Sequence, residues 1–241
     1  MESNYRGYYL DKSLKRMDDI LGRSDNEFEE KDFIPPRSSL TYKNGFYVNV
    51  SAIFVDMRDS SSLTDDYYRP TLAKIYRSFI SEVVAVMNGN LYCEEINIVG
   101  DCVSGIFRTD NEEEKNDFVE TLFKINGVIS VLNCKLSKKD ITTIRVGIGA
   151  DYGRALMIKA GYSGSGIDEV VWMGDVVNNA SKLSDKASYY FNKPILIGIN
   201  LHDILPMEKR LIFDKHSYED CFESDEIDSE MNNWIEENCD K

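Results

Sequence analysis

Residues 46–56 read FYVNVSAIFVD, and this stretch decides how the rest of the chain is interpreted. It is rich in β-branched and aromatic residues, which favour a buried β-strand. The strand ends at Asp56, so a carboxylate stands where an apolar strand meets the polar run RDSSS (58–62). In a strand, Asp56 shares a face with Phe54 and Ala52. We therefore predict a core strand with an acidic side chain at its end.

The segments that follow predict an α+β domain. Apolar positions at helical spacing predict helices over 66–87 and 112–135. Segments 91–98 and 102–107 flank a tight connection, which predicts a hairpin. The other predicted elements are strands at 144–150, 153–158, 170–172, 194–199 and 210–214 and a helix at 175–187. From Phe46 the order is β-α-β-β-α-β and then β-α-β, which matches a ferredoxin-like βαββαβ unit with an antiparallel-dominated sheet.

The charge pattern divides the chain into three segments. Residues 1–45 are polar and mixed in charge, and we predict an extension with a short helix at 9–22. Residues 46–215 form the predicted main domain. Residues 216–241 form a predicted acidic tail, in which ten acids face Lys241 alone and contribute −9 of the net charge of −14. The rest of the chain is therefore only mildly acidic.

Composition excludes several classes of protein. The chain has 241 residues, 42% of them hydrophobic, which is enough for a sizeable core. With 28 basic against 42 acidic residues, a broad basic face for nucleic acid or for anionic membrane is not expected. A small polyanionic ligand remains compatible, because a bound cation can invert the local field.

Five cysteines without CxxC spacing and two histidines give no support for a structural zinc site. We expect reduced cysteines and a cytoplasmic protein. The N-terminus lacks a signal-peptide hydrophobic region, and no apolar run reaches the roughly 18–20 residues of a membrane span.

Two carboxylates are the first candidates for chemistry. Asp56 ends the first strand, and Asp101 lies at the tip of the predicted hairpin. Taken singly, Asp56 is explained as a turn cap and Asp101 as a turn residue. If the hairpin lies next to the first strand, however, the two side chains sit together, and such a pair favours a cation between them. A two-metal phosphoryl-transfer site needs this arrangement.

The segment WMGDVVNNASKL (172–183) carries the second pair of candidates. A helix is predicted to begin after Gly174, and Asn178 and Lys182 are then one turn apart on one face. An amide and a cation placed in this way could orient a ribose and stabilise phosphoryl charge. The alternative is an ordinary solvated helix face.

Together these segments resemble the catalytic domain of the class III nucleotidyl cyclases, the adenylate and guanylate cyclase family. The resemblance covers roughly Phe46 to Ile197 and rests on four motifs in compatible order. They are IFVDM (53–57), IVGDCV (98–103), IRVGIG (144–149) with Gly153, and GDVVNNASKL (174–183).

The resemblance implies a site and a mechanism. Asp56, Asp101 and the main-chain carbonyl of Met57 would bind two Mg²⁺ or Mn²⁺ ions. Asn178 would position the ribose, and Lys182 takes a place usually held by arginine. The substrate 3′-hydroxyl would attack the α-phosphorus in line, and pyrophosphate would leave. The family works as a dimer with shared active sites, so we expect a homodimer. Further substrate-binding candidates are Phe54, Ser60, Ser61 and Arg145.

The purine-reading residues of adenylate cyclases are absent. A lysine and an aspartate are replaced by Asn97 and Val171. Asn97 offers both a donor and an acceptor, which suits the edge of uracil or cytosine. In this the chain is similar to the pyrimidine cyclases of the bacterial Pycsar anti-phage system, whose cyclic product activates a separate effector protein. We expect UTP ahead of CTP as substrate.

Three alternatives remain open: an adenylate cyclase that makes cAMP, an inactive cyclase-like nucleotide-binding module, and an interaction protein whose acidic tail binds a basic partner. The sequence does not identify the residue that binds the triphosphate. The candidates for that role are Lys193, Lys209, Arg210 and Lys215.

Overall fold

The computed structural model describes residues 2–61, 63, 69–189 and 192–239. The chain forms two compact units. The smaller comprises Met1–Asn49 and Arg154–Asp175, and the larger comprises Val50–Gly153 and Val176–Lys241. In chain order the elements are α1 Leu10–Leu21, β1 Phe28–Glu30, β2 Gly45–Met57, α2 Arg69–Asn88, β3 Cys93–Val99, β4 Cys102–Phe107, α3 Glu112–Ser137, β5 Val146–Tyr162, β6 Ile167–Met173, α4 Asp175–Lys186, β7 Ile195–Gly198, α5 Ile199–Ile204, α6 Met207–Arg210, β8 Asp214–Lys215, β9 Cys221–Ser224 and α7 Ser229–Asn238.

In the larger unit the strand order is β3-β4-β2-β5-β7-β9-β8. Strands β3, β4 and β2 pair antiparallel, as do β7, β9 and β8, whereas β5 and β7 pair parallel. The predicted α+β class with a mostly antiparallel sheet is confirmed. In the smaller unit, β1 pairs parallel with the start of β2, and the far half of β5 pairs antiparallel with β6.

The core of the larger unit follows from the alternation along β2. Ile53, Val55 and Met57 are buried in the core with residues of α2 and α3. Phe107 and Phe118 meet there edge to face, with ring centroids 5.2 Å apart. Because side chains alternate along a strand, the half-buried Asp56 projects from the opposite face. Burial of the other face of β2 thus fixes the direction in which Asp56, the candidate metal ligand, points.

The described part of the acidic segment 216–241 is built into the larger unit. Strand β9 pairs with β7, and the helix α7 packs on α3. The side-chain amide of Asn126 on α3 donates to the carbonyl oxygens of Asp225 and Glu226, at 3.0 and 2.9 Å. A disulfide joins Cys134 to Cys239. For these two cysteines the expectation of reduced thiols is therefore wrong.

Two predicted strand patterns were also wrong. Segments 144–150 and 153–158 are not two strands, because β5 runs without a break from Val146 to Tyr162. The Asp151 side chain between them forms no turn; it is buried and accepts bonds from neighbouring elements. The predicted strand 210–214 is also absent, since Arg210 ends a helix and β8 begins at Asp214. Of the helix predicted at 66–87, residues 66–68 lie outside the described part, and α2 begins at Arg69.

Candidate active site

The end of β2 and the β3–β4 hairpin bring two carboxylates to one edge of the sheet. Gly100 and Asp101 form the two-residue connection of the hairpin, and Gly100 has a φ of +62°, which favours glycine. Cys102, directly after Asp101, is the register partner of Asp56. Asp56 and Asp101 are both half-buried. The structure therefore places Asp56 and Asp101 next to each other, as the sequence predicted.

The electrostatics of this edge are unfavourable for two bare carboxylates. Burial raises the pKa of Asp56 above 3.8, and the charge of Asp101 raises it further, while Arg58 acts in the opposite direction. Burial also raises the pKa of Cys102 to about 12, with Asp56 and Asp101 adding to the effect, so this residue stays a neutral thiol. Two close carboxylates in a partly desolvated place favour a bound cation.

The donor set at this edge fits a hard divalent cation such as Mg²⁺ or Mn²⁺. The carboxylates of Asp56 and Asp101 supply oxygen atoms, which these ions prefer. The Met57 side chain is buried in the core, so this residue could contribute only its main-chain carbonyl. Within the described residues, no group of three or more His, Cys, Asp and Glu side chains could hold a metal. A cation here would therefore depend on the two aspartates.

Arg58 is a component of this edge that sequence reasoning missed. Its side chain is 3% exposed, and its Nη1 donates to Asp56 Oδ2 at 3.0 Å. Its Nε donates to the carbonyl oxygen of Ala187, just beyond α4, at 3.0 Å. In the sequence, Arg58 reads as the first residue of a solvated loop. A cation two positions after a strand-end carboxylate was the available signal.

Helix α4 lies directly on β5 because two glycines allow it. A Cβ atom at Gly147 would come within 2.2 Å of the Ser184 carbonyl oxygen, and one at Gly149 within 2.0 Å of the Ser184 nitrogen. Both glycines belong to the IRVGIG motif. This contact fixes α4, whose Asn178 and Lys182 side chains are exposed and one turn apart, as predicted.

A cavity of about 420 Å³ opens beside Lys182. Asp151, the buried acid of β5, lines it and accepts hydrogen bonds from the Asn179 side chain at 3.2 Å and the Leu201 N–H at 3.3 Å. Burial raises the pKa of Asp151, which these bonds oppose. The other lining residues are Leu183, Lys186, Gly198, Ile199, Asn200, Glu219, Asp220 and Cys221. Sequence reasoning missed Asp151, although a lone acid inside an apolar strand was a signal.

The other predicted substrate contacts are placed as follows. Phe54 is half-buried on the same face of β2 as Asp56, Ser60 is half-buried and Ser61 is exposed. Arg145 donates to Asp59 at 2.6 Å and to the Ser188 carbonyl at 3.2 Å, so its guanidinium is engaged within the chain.

The two base-reading positions have different settings. Asn97 is half-buried on β3, and its Nδ2 lies 3.5 Å from Glu95 Oε1. Val171 lies on β6 in the smaller unit, opposite Ile158.

Three candidate triphosphate ligands are engaged with groups of the chain itself. Lys193 pairs with Asp214 and Asp225, Lys209 pairs with Glu120, and Arg210 donates to the carbonyls of Asp203 and Leu205. Lys215 is exposed on β8.

Comparison with known proteins adds a relationship over nearly the whole chain. No model of a known protein family matches. The chain is 42% identical to the uridylate cyclase of Gulbenkiania mobilis, covering 99% of this chain and 100% of that protein. It is 36% identical to the uridylate cyclase of Treponema porcinum, covering 92% and 78% of the two chains.

Solved structures with the same fold are class III cyclases and a cyclase-like protein. The adenylyl cyclase CyaB from P. aeruginosa aligns with a TM-score of 0.58 at 18% identity, over 66% of this chain and 81% of that one. A class III adenylyl cyclase-like ATP-binding protein from Pseudomonas aeruginosa aligns with a TM-score of 0.67 at 14% identity, over 95% and 50%. Identities this low show the fold alone. In the described part of the chain, no helix has the length and apolar character needed to cross a membrane.

Proposed function

We propose, from the premise that the chain belongs to the uridylate cyclase family and has the class III cyclase fold, that it converts a pyrimidine nucleoside triphosphate to the 3′,5′-cyclic monophosphate. UTP is the preferred substrate over CTP, and pyrophosphate is the second product. The observation that carries the proposal is the pairing of Asp56 and Asp101 at one sheet edge in a chain related to uridylate cyclases over its whole length.

The reaction is an intramolecular displacement at phosphorus. The 3′-oxygen of the ribose forms a bond to the α-phosphorus, and the bond from that phosphorus to the oxygen bridging to the β-phosphate breaks. The 3′-hydroxyl proton passes to solvent, and pyrophosphate carries away the electron pair. Divalent cations supply the charge that lowers the pKa of the 3′-hydroxyl and neutralises the leaving group. No side-chain nucleophile is required.

The proposed site residues have separate roles in this reaction. Asp56, Asp101 and the Met57 carbonyl would hold two Mn²⁺ or Mg²⁺ ions. Asn178 orients the ribose, and Lys182 places a positive charge near the phosphates. A lysine lacks the two-pronged geometry of arginine, which limits the rate rather than the type of reaction.

The active unit in this proposal is a homodimer with shared sites. One subunit supplies the aspartates, and the other supplies the α4 residues. The exposure of Asn178 and Lys182, which leaves both side chains available to a second chain, supports this arrangement.

Asn97 and Val171 are the proposed base-reading residues. An amide pairs with a pyrimidine edge by one donated and one accepted hydrogen bond, whereas valine offers neither. Phe54, Ser60, Ser61 and Arg145 complete the proposed substrate contacts. For Arg145 this requires exchange of its bond to Asp59 for one to the phosphates.

We place the activity in the cytoplasm, where nucleoside triphosphates are available. By its likeness to the pyrimidine cyclases of anti-phage systems, the cyclic product is a second messenger in defence that a separate effector protein reads. Nucleic acid and membrane are not part of this proposal, in keeping with the net charge of −14.

A nucleotide-specificity assay tests the proposal. Purified protein is incubated with UTP, CTP, ATP or GTP and Mn²⁺, and cyclic product is quantified by mass spectrometry. We expect cyclic UMP to form fastest. Faster cyclisation of ATP or GTP would identify a purine cyclase. Nucleotide binding without any product would identify an inactive binding module.

A further inference from the structure

We propose that Arg58 is a positioning residue that holds Asp56 in the orientation needed to bind a cation, by tying this carboxylate to the end of α4. The inference rests on the proposed metal-dependent cyclase function. It assigns a task to a buried cation in the loop after β2.

The guanidinium of Arg58 is held by hydrogen bonds at two of its three nitrogen atoms. Nη1 donates to Asp56 Oδ2, and Nε donates to the Ala187 carbonyl, both at 3.0 Å. Nη2 is buried, has no hydrogen-bond partner among the residues that the structure describes, and lies against Gly147, where a Cβ atom would be 1.8 Å away. The Tyr189 ring covers the group, with its centroid 4.9 Å from Cζ. The backbone N–H of Arg58 donates to the Arg145 carbonyl at 2.8 Å.

This geometry holds Asp56 and still leaves it able to bind a metal. The ion pair engages Oδ2, so Oδ1 remains to face a cation. Arg58 also supplies counter-charge to a place where Asp101 and Asp185 both repel the Asp56 carboxylate. Groups that orient a metal-binding carboxylate from behind are worth about 10–100-fold in metal affinity or activity.

The arrangement calls for arginine in particular. A guanidinium can donate to Asp56 and to Ala187 at once, in a fixed plane, and can stack on Tyr189. A lysine in the same place keeps the charge but has a single nitrogen for both acceptors. Arg58→Lys therefore separates the effect of charge from the effect of orientation, and Arg58→Met removes both while keeping much of the apolar stem.

The test compares Mn²⁺ binding and turnover in five proteins: wild type, Arg58→Met, Arg58→Lys, Asp56→Asn and the control Arg108→Met. Arg108 is a matched control, because it also pairs with carboxylates, Glu94 and Glu114, and also covers a tyrosine ring, that of Tyr92. Free Mn²⁺ is measured by electron paramagnetic resonance without nucleotide. Turnover and KM are measured with UTP, and Tm is measured for each protein.

We expect Arg58→Met to weaken Mn²⁺ binding and to lower kcat by about 10–100-fold each, with KM for UTP changed less than about threefold. Arg58→Lys should recover part of both losses. Arg108→Met should alter Tm only. If Arg58→Met does not fold, Arg58→Lys alone tests the positioning role. We expect this variant to lose about three- to tenfold in Mn²⁺ affinity.

The inference is overturned if the Arg58 variants bind Mn²⁺ as tightly as wild type or more tightly, whatever happens to Tm. Failure of the proposed function gives a different result. In that case Asp56→Asn binds Mn²⁺ as wild type does, or wild type itself binds none.

Discussion

The sheet edge with Asp56 and Asp101 and the α4 face with Asn178 and Lys182 belong to one proposed reaction, yet the chain builds them differently. At the edge, both carboxylates are half-buried, and Arg58 fixes Asp56 from behind at 3.0 Å. On α4, both side chains are exposed. The carboxylates are thus held by contacts within the chain, whereas the Asn178 and Lys182 side chains project away from it.

This difference matches the demands of the two tasks. Carboxylates that repel one another must be held in place by the fold, since they would otherwise turn apart or take up protons. An amide and an ammonium that contact a bound nucleotide need only a rigid helix beneath them, and Gly147 and Gly149 provide that by letting α4 rest on β5. A second subunit that brings its own α4 to this edge would complete the site.

The largest expected effect comes from breaking the edge. We expect Asp56→Ala and Asp101→Ala each to lower the rate of UTP cyclisation by about 10³-fold or more, because each removes a ligand for the cations that carry the charge of the reaction. The measurement is initial rate at saturating Mn²⁺. Asp203→Ala, at an exposed acid on α5, serves as control and should keep the wild-type rate. Retention of even a tenth of wild-type activity in Asp101→Ala would contradict the assignment of the metal site.

A smaller effect tests whether the edge and the α4 face act across two subunits. Asp101→Ala and Asn178→Ala should each be nearly inactive alone. Mixing them in equal amounts, with subunit exchange, produces mixed dimers in which one of the two sites has both an intact edge and an intact α4 face. Random exchange should therefore restore roughly a quarter of wild-type activity, the proportion expected for closed two-fold dimers. If each site is built from a single chain, the mixture stays inactive.

The sequence predicted the edge well because its signals are local. An apolar strand that ends in an acid, and a hairpin with Gly100-Asp101 at its tip, needed only the period of a strand and the chemistry of a turn. The register that sets Asp56 opposite Cys102 comes from the structure, which places the hairpin beside β2. The pairing of Asn178 and Lys182 was likewise local, since it depends on helical spacing alone.

The parts that sequence reasoning missed depend on contacts distant in sequence. The role of Arg58 depends on its hydrogen bond to the carbonyl oxygen of Ala187, which lies 129 positions further along the chain. Asp151 lay between the predicted strands 144–150 and 153–158 and was not singled out, because its partners Asn179 and Leu201 come from other elements. The acidic segment read as a tail because acids outnumber apolar residues over 216–241 as a whole. Side-chain partners from elsewhere in the fold overrode the local pattern in each case.

The smallest expected effect tests whether the chain gives up stability at the edge for function. In the metal-free protein the pKa of Asp56 is raised by burial and then by Asp101, so the folded state binds this proton more tightly than the unfolded chain. The contribution of Asp56 to the free energy of unfolding is therefore complete below pH 3.8 and is lost as pH rises through the raised pKa. Asp101→Asn removes one cause of the shift and should reduce that loss.

We accordingly expect metal-free Asp101→Asn, although inactive, to be more stable than wild type at pH 7 by about 0.5–1 kcal/mol, or roughly 1–4 °C in Tm. The gain should shrink toward pH 3.8, where Asp56, with its raised pKa, is mostly protonated in the folded state and is no longer repelled. Thermal unfolding in EDTA at both pH values measures it, with Asp203→Asn as a control for loss of an exposed acid.

Added Mn²⁺ should then raise the Tm of wild type and leave that of Asp101→Asn nearly unchanged, because only a cation that binds the folded state stabilises it. If Asp101→Asn is instead less stable than wild type at pH 7, Asp101 stabilises the fold by more than its repulsion of Asp56 destabilises it. The carboxylate pair would then not reduce the stability of the sheet edge.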